Sequence, residues 1–296
     1  ICAPKWRPTT LVAADSWSFF GSSGLKQLSD LTRAIVQQTE QSMRSQIAEL
    51  PDGAYLNEIE LEDKDSTGNS LVIRLTLTVK GDEMVIDYAG TSPQVALPIN
   101  CVINMTTAYS VFAVKCALHP HTPNNKGTSA PITVIAPEGS LLHPKFPAAV
   151  MHRTAIVFYC VEAIFNALSA ARPESVAAPS GTYPLWVERF AGQFDDGRPF
   201  VSSFNAQGGQ GARFNKDGIA TTVFPANVAS TSVELFEVEA PVLCEKKELI
   251  TDSGGAGRQR GGLGQEVVWR NLAETDTLLS LSGGRFLVAA AGMSGG

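Results

Sequence analysis

The chain has 296 residues, 44% of them hydrophobic, and carries a formal net charge of -6. This composition is typical of a globular protein of one or two domains, and the absence of a basic stripe argues against nucleic-acid binding. The most apolar run, residues 155–161, is far shorter than the ~20 residues of a membrane-spanning helix, so we expect no membrane span.

The cysteines and the two ends of the chain suggest its cellular setting. The five cysteines are scattered and form no CxxC pair. This pattern argues against a disulfide framework or a zinc knuckle and favours a reducing, cytoplasmic compartment. The chain begins at Ile1 without a signal peptide and ends in glycines, so we expect it to be a piece of a longer polypeptide.

The first half of the chain predicts a helix followed by strands. From residue 25 to residue 50, apolar residues recur three and four positions apart, which is typical of a helix. Residues 71–79 alternate apolar and polar side chains, which is typical of a half-buried strand. The predicted elements are a helix at 25–50, strands at 55–62, 71–79 and 83–88, a helix at 101–118, a loop at 119–131 and a strand at 132–135.

The second half predicts one helix and then strand after strand. These elements are a helix at 155–171 and strands at 198–204, 220–224, 232–239, 242–249, 265–270 and 278–281. The predicted class is α+β, with helices in the first two thirds and mainly antiparallel strands in the last third. We divide the chain into an unassigned N-terminal segment (1–23), a helix and hairpin α+β part (24–180) and a β-rich C-terminal part (181–296).

Two glycine-rich stretches stand out. Residues 252–264, DSGGAGRQRGGLG, hold six glycines in thirteen residues, which predicts a shaped loop rather than a helix or strand. Arg258 and Arg260 in this loop could bind a carboxylate or phosphate, or could pair with Asp252 or Glu266; we favour this second, structural role. The GGQGA stretch at 208–212 is followed by a turn and a strand rather than a helix, which argues against a dinucleotide site.

The histidines and serines give no catalytic signature. The four histidines show no metal-ligand spacing, so we expect solvated loop histidines. Ser180 and Ser253 each precede a glycine, which marks a turn as readily as a nucleophile, and no GxSxG motif is present. A hydrolase that uses either serine is therefore a weak alternative.

Several stretches of the chain resemble the hydantoinase B/oxoprolinase family. The stretches are LPDGAY (50–55), IDYAGTSPQV (86–95), PIN (98–100), PNNKGTSAPITVIAPEGSLLHPKFPAAV (123–150), GGQGARFNKDG (208–218), FPANVASTSVELFE (224–237) and DSGGAGRQRGGLGQE (252–266). They follow the family's order from about Gly24 to the C-terminal glycines, whereas residues 1–23 do not match.

The resemblance implies an ATP-dependent amidohydrolase that acts on cyclic amides such as 5-oxoproline or N-methylhydantoin. In such systems an actin-like A component binds ATP and activates the amide oxygen, and the B component completes ring opening. Related systems carboxylate ketones, so a ketone carboxylase subunit is one alternative, and a non-catalytic structural subunit is another.

The resemblance also implies that the metal and ATP are bound by other components of the complex. The family's metal motifs belong to the first half of the B component, and nothing here matches them. We therefore expect no cofactor in this chain, with a divalent metal and ATP in the other parts of the complex. The implied partners are an actin-like A component, a metal-bearing N-terminal half of the B component and a small-molecule substrate.

Candidate site residues come from the matching stretches, and the catalytic residues stay unknown. The substrate-binding or loop-shaping candidates are Asn125, Gly208, Gly209, Gly211, Arg213, Asp217, Asp252, Arg258 and Arg260. We expect no metal ligand among them. We also expect Asp252, Arg258 and Arg260 to brace a sharp backbone excursion between strands.

Overall fold

The computed structural model describes residues 28–182, 185–226 and 228–293. The predicted α+β class is confirmed, because the longer helices lie in the first two thirds and the last third is mostly strands. The unassigned segment 1–23, with Cys2, lies outside the described residues. Over the described ranges, no helix combines the length and the apolar character that a membrane crossing needs.

The described elements are five α-helices, one 3-10 helix and nine strands. The helices are α1 (Leu28–Ile47), α2 (Ile103–Leu118), α3 (Lys126–Ser129), α4 (Arg153–Ser169) and α5 (Val233–Glu239), with the 3-10 helix at Pro173–Ser175. The strands are β1 (Gly53–Lys64), β2 (Ser70–Lys80), β3 (Glu83–Asp87), β4 (Ile132–Ile135), β5 (Leu185–Gln193), β6 (Pro199–Gln207), β7 (Val242–Leu249), β8 (Gln265–Asn271) and β9 (Leu278–Ser282).

A four-stranded sheet in the order β1-β2-β3-β4 forms the centre of the first part. β1, β2 and β3 are antiparallel neighbours, and β4 pairs parallel to β3. The alternation predicted for β2 is confirmed, because every second side chain from Leu71 to Val79 is buried. Helix α4 packs against β1, β2 and α2, so the apolar faces of sheet and helices share one hydrophobic core.

The last third contains a second, aromatic core. A three-stranded antiparallel sheet in the order β6-β5-β9 accompanies the β7-β8 pair, and Phe204, Phe236 and Trp269 pack together between them. Glu188 on β5 is buried there, and its carboxylate accepts hydrogen bonds from Trp186 Nε1 at 2.7 Å and Trp269 Nε1 at 2.5 Å. A buried carboxylate thus ties β5 to β8.

Two predicted strands are wrong. Residues 232–239 contain helix α5, because the Ser232 hydroxyl accepts from Leu235 N at 3.2 Å and so caps the first turn. Residues 220–224 are irregular: Thr221 has φ +48°, and Thr222 N bonds Gly208 O across to the other loop.

The structure also adds two elements that were not predicted. Strand β5 was not predicted, because the charged residues Glu188 and Arg189 interrupt its apolar pattern. The predicted loop 119–131 contains the one-turn helix α3, which Asn125 caps by accepting from Gly127 N at 2.8 Å.

Candidate functional site

The glycine-rich loop 252–264 connects β7 to β8 and is closed at its base. Ile250 N donates to Gly264 O at 2.9 Å, and Gly264 N donates to Ser253 Oγ at 2.8 Å. Asp252 has φ +56°, in the left-handed region that aspartate adopts more readily than most residues. The loop therefore has a narrow, hydrogen-bonded neck.

Three loops meet in what we call the glycine cluster: residues 177–182, 208–218 and 252–264. Their contacts are largely between backbones. Gly262 N donates to Gln210 O at 2.8 Å, and Gly181 N donates to Gly209 O at 2.9 Å. Backbone hydrogen bonds, rather than interdigitating side chains, therefore hold the three loops together.

Several positions in the cluster must be glycine, because the backbones of the three loops approach each other too closely for a side chain to fit. A Cβ on Gly209 would overlap the carbonyl group of Gly262, and a Cβ on Gly211 would overlap that of Ala178. Backbone atoms cannot rotate away as the end of a side chain can, so any side chain here would push the loops apart. Gly255 differs, because a Cβ there would meet nothing within 4 Å.

Arg260 makes its shorter contacts through its backbone. Its N–H donates to Asp217 Oδ1 at 2.8 Å, and its carbonyl accepts from Gly218 N at 2.8 Å. The Arg260 side chain is 52% exposed and lies 3.4 Å from Asp252, which is 80% exposed. Solvent screens such a pair to under about 1 kcal/mol. We therefore expect replacement of the Arg260 side chain to cost little stability.

Arg258 and Arg213 also contact the loops. Arg258 Nη2 donates to Phe214 O at 3.3 Å, and its guanidinium lies 5.6 Å from the centre of the Phe214 ring. Arg213 Nη2 donates to Asp217 O at 3.2 Å, while its Nε is buried and has no hydrogen-bond partner in the described part of the chain. Their assignment as loop-shaping or ligand-binding residues stays a prediction.

The glycine cluster forms a wall of a cavity of about 780 Å³. Residues 290–293 also line this cavity, with five polar side chains from the cluster: Gln210, Arg213, Ser253, Arg258 and Gln259. Its size is in the range of small-molecule sites. The described lining residues offer amide, guanidinium and hydroxyl groups but no carboxylate or imidazole. The cavity is thus suited to binding an oxygen-bearing molecule rather than to acid-base chemistry.

All but one of the predicted site residues belong to the glycine cluster. Asn125 lies elsewhere, at the start of α3, where its Nδ2 donates to Thr39 Oγ1 of α1 at 2.9 Å. Its hydrogen bonds hold α3 against α1, and it does not line the large cavity.

A buried ion pair beside the cluster was not predicted from the sequence. Arg285 Nη2 donates to Glu162 Oε2 on α4, and the two side chains are 8% and 15% exposed. Burial raises the pKa of Glu162, although the positive charge of Arg285 acts in the opposite direction. The sequence feature that could have indicated this pair is Glu162, a carboxylate within the largely apolar sequence of α4.

The Glu62 carboxylate on β1 holds the segment that follows Arg285. It accepts backbone N–H groups from Phe286 at 3.1 Å, Leu287 at 2.7 Å and Val288 at 2.8 Å. Burial acts to raise the pKa of Glu62, but these backbone N–H groups outweigh burial, and the pKa is lowered.

The lowered pKa of Glu62 predicts an acid-sensitive contact. The ionised carboxylate stabilises the folded chain above the reference pKa of 4.5, and this stabilisation is lost as the pH falls through the lower folded value. We expect Glu62→Gln to be less stable than the wild type near neutral pH and to lose less stability on acidification. Urea unfolding from pH 7 to about pH 3 measures this slope. The exposed neighbour Glu60→Gln is the control, and equal slopes for both variants would contradict the prediction.

Two of the histidines and both candidate serines make side-chain hydrogen bonds within the fold. Ser180 Oγ and Ser253 Oγ each donate to a backbone carbonyl, at 3.2 and 2.7 Å. Two partly exposed histidines make a hydrogen bond within the fold: His119 Nε2 lies 2.6 Å from Ser42 Oγ, and His143 Nδ1 lies 3.0 Å from a backbone carbonyl. Within the described residues, no three His, Cys, Asp or Glu side chains are placed to hold a metal ion.

Known proteins similar to this chain include a hydantoinase subunit and two solved structures. A putative D-/L-hydantoinase B subunit from Pseudomonas sp. (strain NS671) is 30% identical over 253 residues, which are 81% of this chain and 42% of that protein. The crystal structure of the ATP-dependent caprolactamase from Pseudomonas jessenii has a TM-score of 0.74 at 24% identity, over 86% of this chain and 45% of that chain. A nucleotide-free acetone carboxylase structure has a TM-score of 0.71 at 17% identity, over 83% and 35%. These two structures establish the shared fold.

The family profile for hydantoinase B/oxoprolinase matches residues 16–296. The expectation that residues 1–23 lie outside the resemblance is therefore wrong for residues 16–23. The chain spans less than half the length of the three relatives described above. With nearly its whole length matched, this chain belongs to the hydantoinase B/oxoprolinase family.

Proposed function

We propose that this chain is part of the B component of an ATP-dependent hydrolase that opens cyclic amides of the 5-oxoproline or hydantoin type. Family membership supports this proposal, as do the relatives named as a hydantoinase B subunit and an ATP-dependent caprolactamase. The proposed partners are an actin-like A component that binds ATP and the metal-bearing N-terminal half of the B component.

The large cavity is the candidate substrate-binding site for this proposed function. Its walls offer guanidinium, amide and hydroxyl groups from Arg213, Arg258, Gln210, Gln259 and Ser253. A cyclic amide carries carbonyl oxygens that accept hydrogen bonds from such donors. We propose that the glycine cluster forms one wall of the substrate cleft, where the lack of side chains lets a ligand or a partner chain approach the backbone closely.

We propose that the implied divalent metal and ATP are held by the other parts of the complex. In support, the residues that the structure describes bring together no set of three potential ligands. We propose a cytoplasmic location, which the unpaired state of Cys101, Cys116, Cys160 and Cys244 supports.

Two other functions remain specific alternatives. The likeness of fold to acetone carboxylase favours a subunit of an ATP-dependent ketone carboxylase. A non-catalytic structural subunit is consistent with a cavity whose described lining has no acid or base.

A reconstitution assay tests the proposed function. The chain is combined with an A component and a metal-bearing N-terminal half, and ATP-dependent ring opening is measured with 5-oxoproline and hydantoin. We expect opening only when ATP and this chain are both present. Bicarbonate-dependent carboxylation of acetone or acetophenone without ring opening would favour the carboxylase. Ring opening at an undiminished rate without this chain would favour the non-catalytic role.

A further inference from the structure

Strand β9 lies at one edge of the three-stranded sheet, and its apolar side chains are exposed. It pairs with β5, and within the described ranges no strand lies along its other side. Four of its five residues are exposed, including Leu278 at 68% and Leu281 at 60%. The backbone N–H and C=O groups on the free side of an edge strand pair readily with another chain.

The sequence of β9 lacks the features that usually protect a free edge. Edge strands that stay unpaired commonly carry lysine or proline, or are interrupted by a bulge. β9 reads LLSLS, and it pairs with β5 along its whole length without a register shift. An edge of this kind is suited to the addition of a further strand.

Arg189 on β5 lies beside this edge and on the outward face of the sheet. Glu188 and Phe190 are buried on the side of the aromatic core, so Arg189 faces the opposite way, because side chains alternate along a strand. Its direct cross-strand neighbours are Ser203 on β6 and Ser280 on β9. In the described part of the chain, the Arg189 side chain makes no hydrogen bond or ion pair.

The charge of Arg189 is not compensated on its own face of the sheet. The cross-strand rows on either side of it are uncharged: Ala191, Val201 and Leu278 in one, and Val187, Asn205 and Ser282 in the other. A carboxylate on a partner chain would complement this charge. Pairing of β9 with β9 of a second copy would supply none, because β9 contains no acidic residue.

We propose, independently of the proposed function, that β9 accepts an antiparallel strand from a partner chain. This strand carries an acidic side chain opposite Ser280 and apolar side chains opposite Leu279 and Leu281. Neighbouring strands are about 4.8 Å apart, so the added strand lies about 10 Å from β5. An extended arginine and a glutamate together span this distance across the small Ser280 side chain. The apolar side chains cover the two exposed leucines on the other face.

Fluorescence anisotropy with labelled peptides tests this surface on the full chain. The peptide Thr-Val-Glu-Val-Val-Thr places its glutamate opposite Ser280. We expect it to bind about fivefold more tightly than the same peptide with glutamine in place of glutamate. Arg189→Gln should remove this preference. The control Arg198→Gln changes an arginine in the turn before β6 that pairs with Asp196, and it should keep the preference. Thermal unfolding checks that both variants fold.

Backbone methylation of the peptide distinguishes an added strand from another mode of docking. A strand at an antiparallel edge uses every second N–H group. We therefore expect N-methylation to abolish binding at only one of two adjacent positions, the glutamate and the valine that follows it.

Four results would overturn the surface: no binding of the glutamate peptide, equal binding of the glutamine peptide, an unchanged preference in folded Arg189→Gln, or equal effects of the two methylations. Sedimentation of the chain alone provides a further check. A concentration-dependent dimer that Leu281→Lys abolishes would assign this edge to a second copy instead.

Discussion

Gly209→Ala is expected to lower the free energy of unfolding by about 3 kcal/mol, or to prevent folding. The added methyl group would overlap the carbonyl group of Gly262, which is backbone and cannot swing aside. Moving the loops apart would also strain the bonds from Gly181 N to Gly209 O and from Gly262 N to Gln210 O. Urea or guanidinium unfolding, followed by circular dichroism, measures the loss.

Gly255→Ala is the matched control in the same cluster. A Cβ at Gly255 would have no neighbour within 4 Å, and this residue does not have a positive φ. We expect a change within about 0.5 kcal/mol, since glycine to alanine at an unstrained position also reduces the entropy of the unfolded chain. Equal losses for the two variants would show that close backbone packing is not what requires Gly209.

Glu188→Ala is expected to have the other large effect, also about 3 kcal/mol. The substitution removes the acceptor for Trp186 Nε1 and Trp269 Nε1, which leaves two indole N–H groups without their partner. It also opens a space next to the aromatic core of the last third, since Glu188 is only 6% exposed. Chemical unfolding, with tryptophan fluorescence as the probe, reports both the loss and the change around the indoles.

Two companion variants separate the causes. Glu188→Gln keeps an amide oxygen that accepts from one indole, so we expect an intermediate loss. Glu245→Ala on β7 removes a pair with Arg270 whose side chains are 44% and 58% exposed, and it should cost less than about 1 kcal/mol. The prediction fails if Glu188→Ala is no more destabilising than Glu245→Ala.

Local patterns predicted the elements whose burial follows a simple period. Residues 71–79 form β2 as expected, because one face of the strand is buried and the other is not. The strand predicted at residues 232–239 is wrong, because Leu235 and Phe236 break any alternation and the Ser232 hydroxyl caps a helix there. Strand β5 was missed because Glu188 interrupts its apolar pattern, and that carboxylate is buried with hydrogen bonds from Trp186 on the same strand and from Trp269, 81 residues away.

The candidate site was predictable only in part, for a related reason. Glycine density marked the stretches 208–218 and 252–264 as places of close backbone approach. It could not show which backbone each glycine meets, because those contacts join distant parts of the chain. Arg285 and Glu162 lie 123 residues apart in sequence, and no local spacing connects them.

The bonds from Glu62 to residues 286–288 have a consequence for the order of folding. They join positions 224 to 226 residues apart. During translation, β1 emerges long before these partners, so its carboxylate stays hydrated until residues 286–288 have left the ribosome. Closing so long a loop is entropically costly, and contacts of this separation form late. We therefore expect residues 286–288 to join after the first sheet and α4 have formed the surface that they contact.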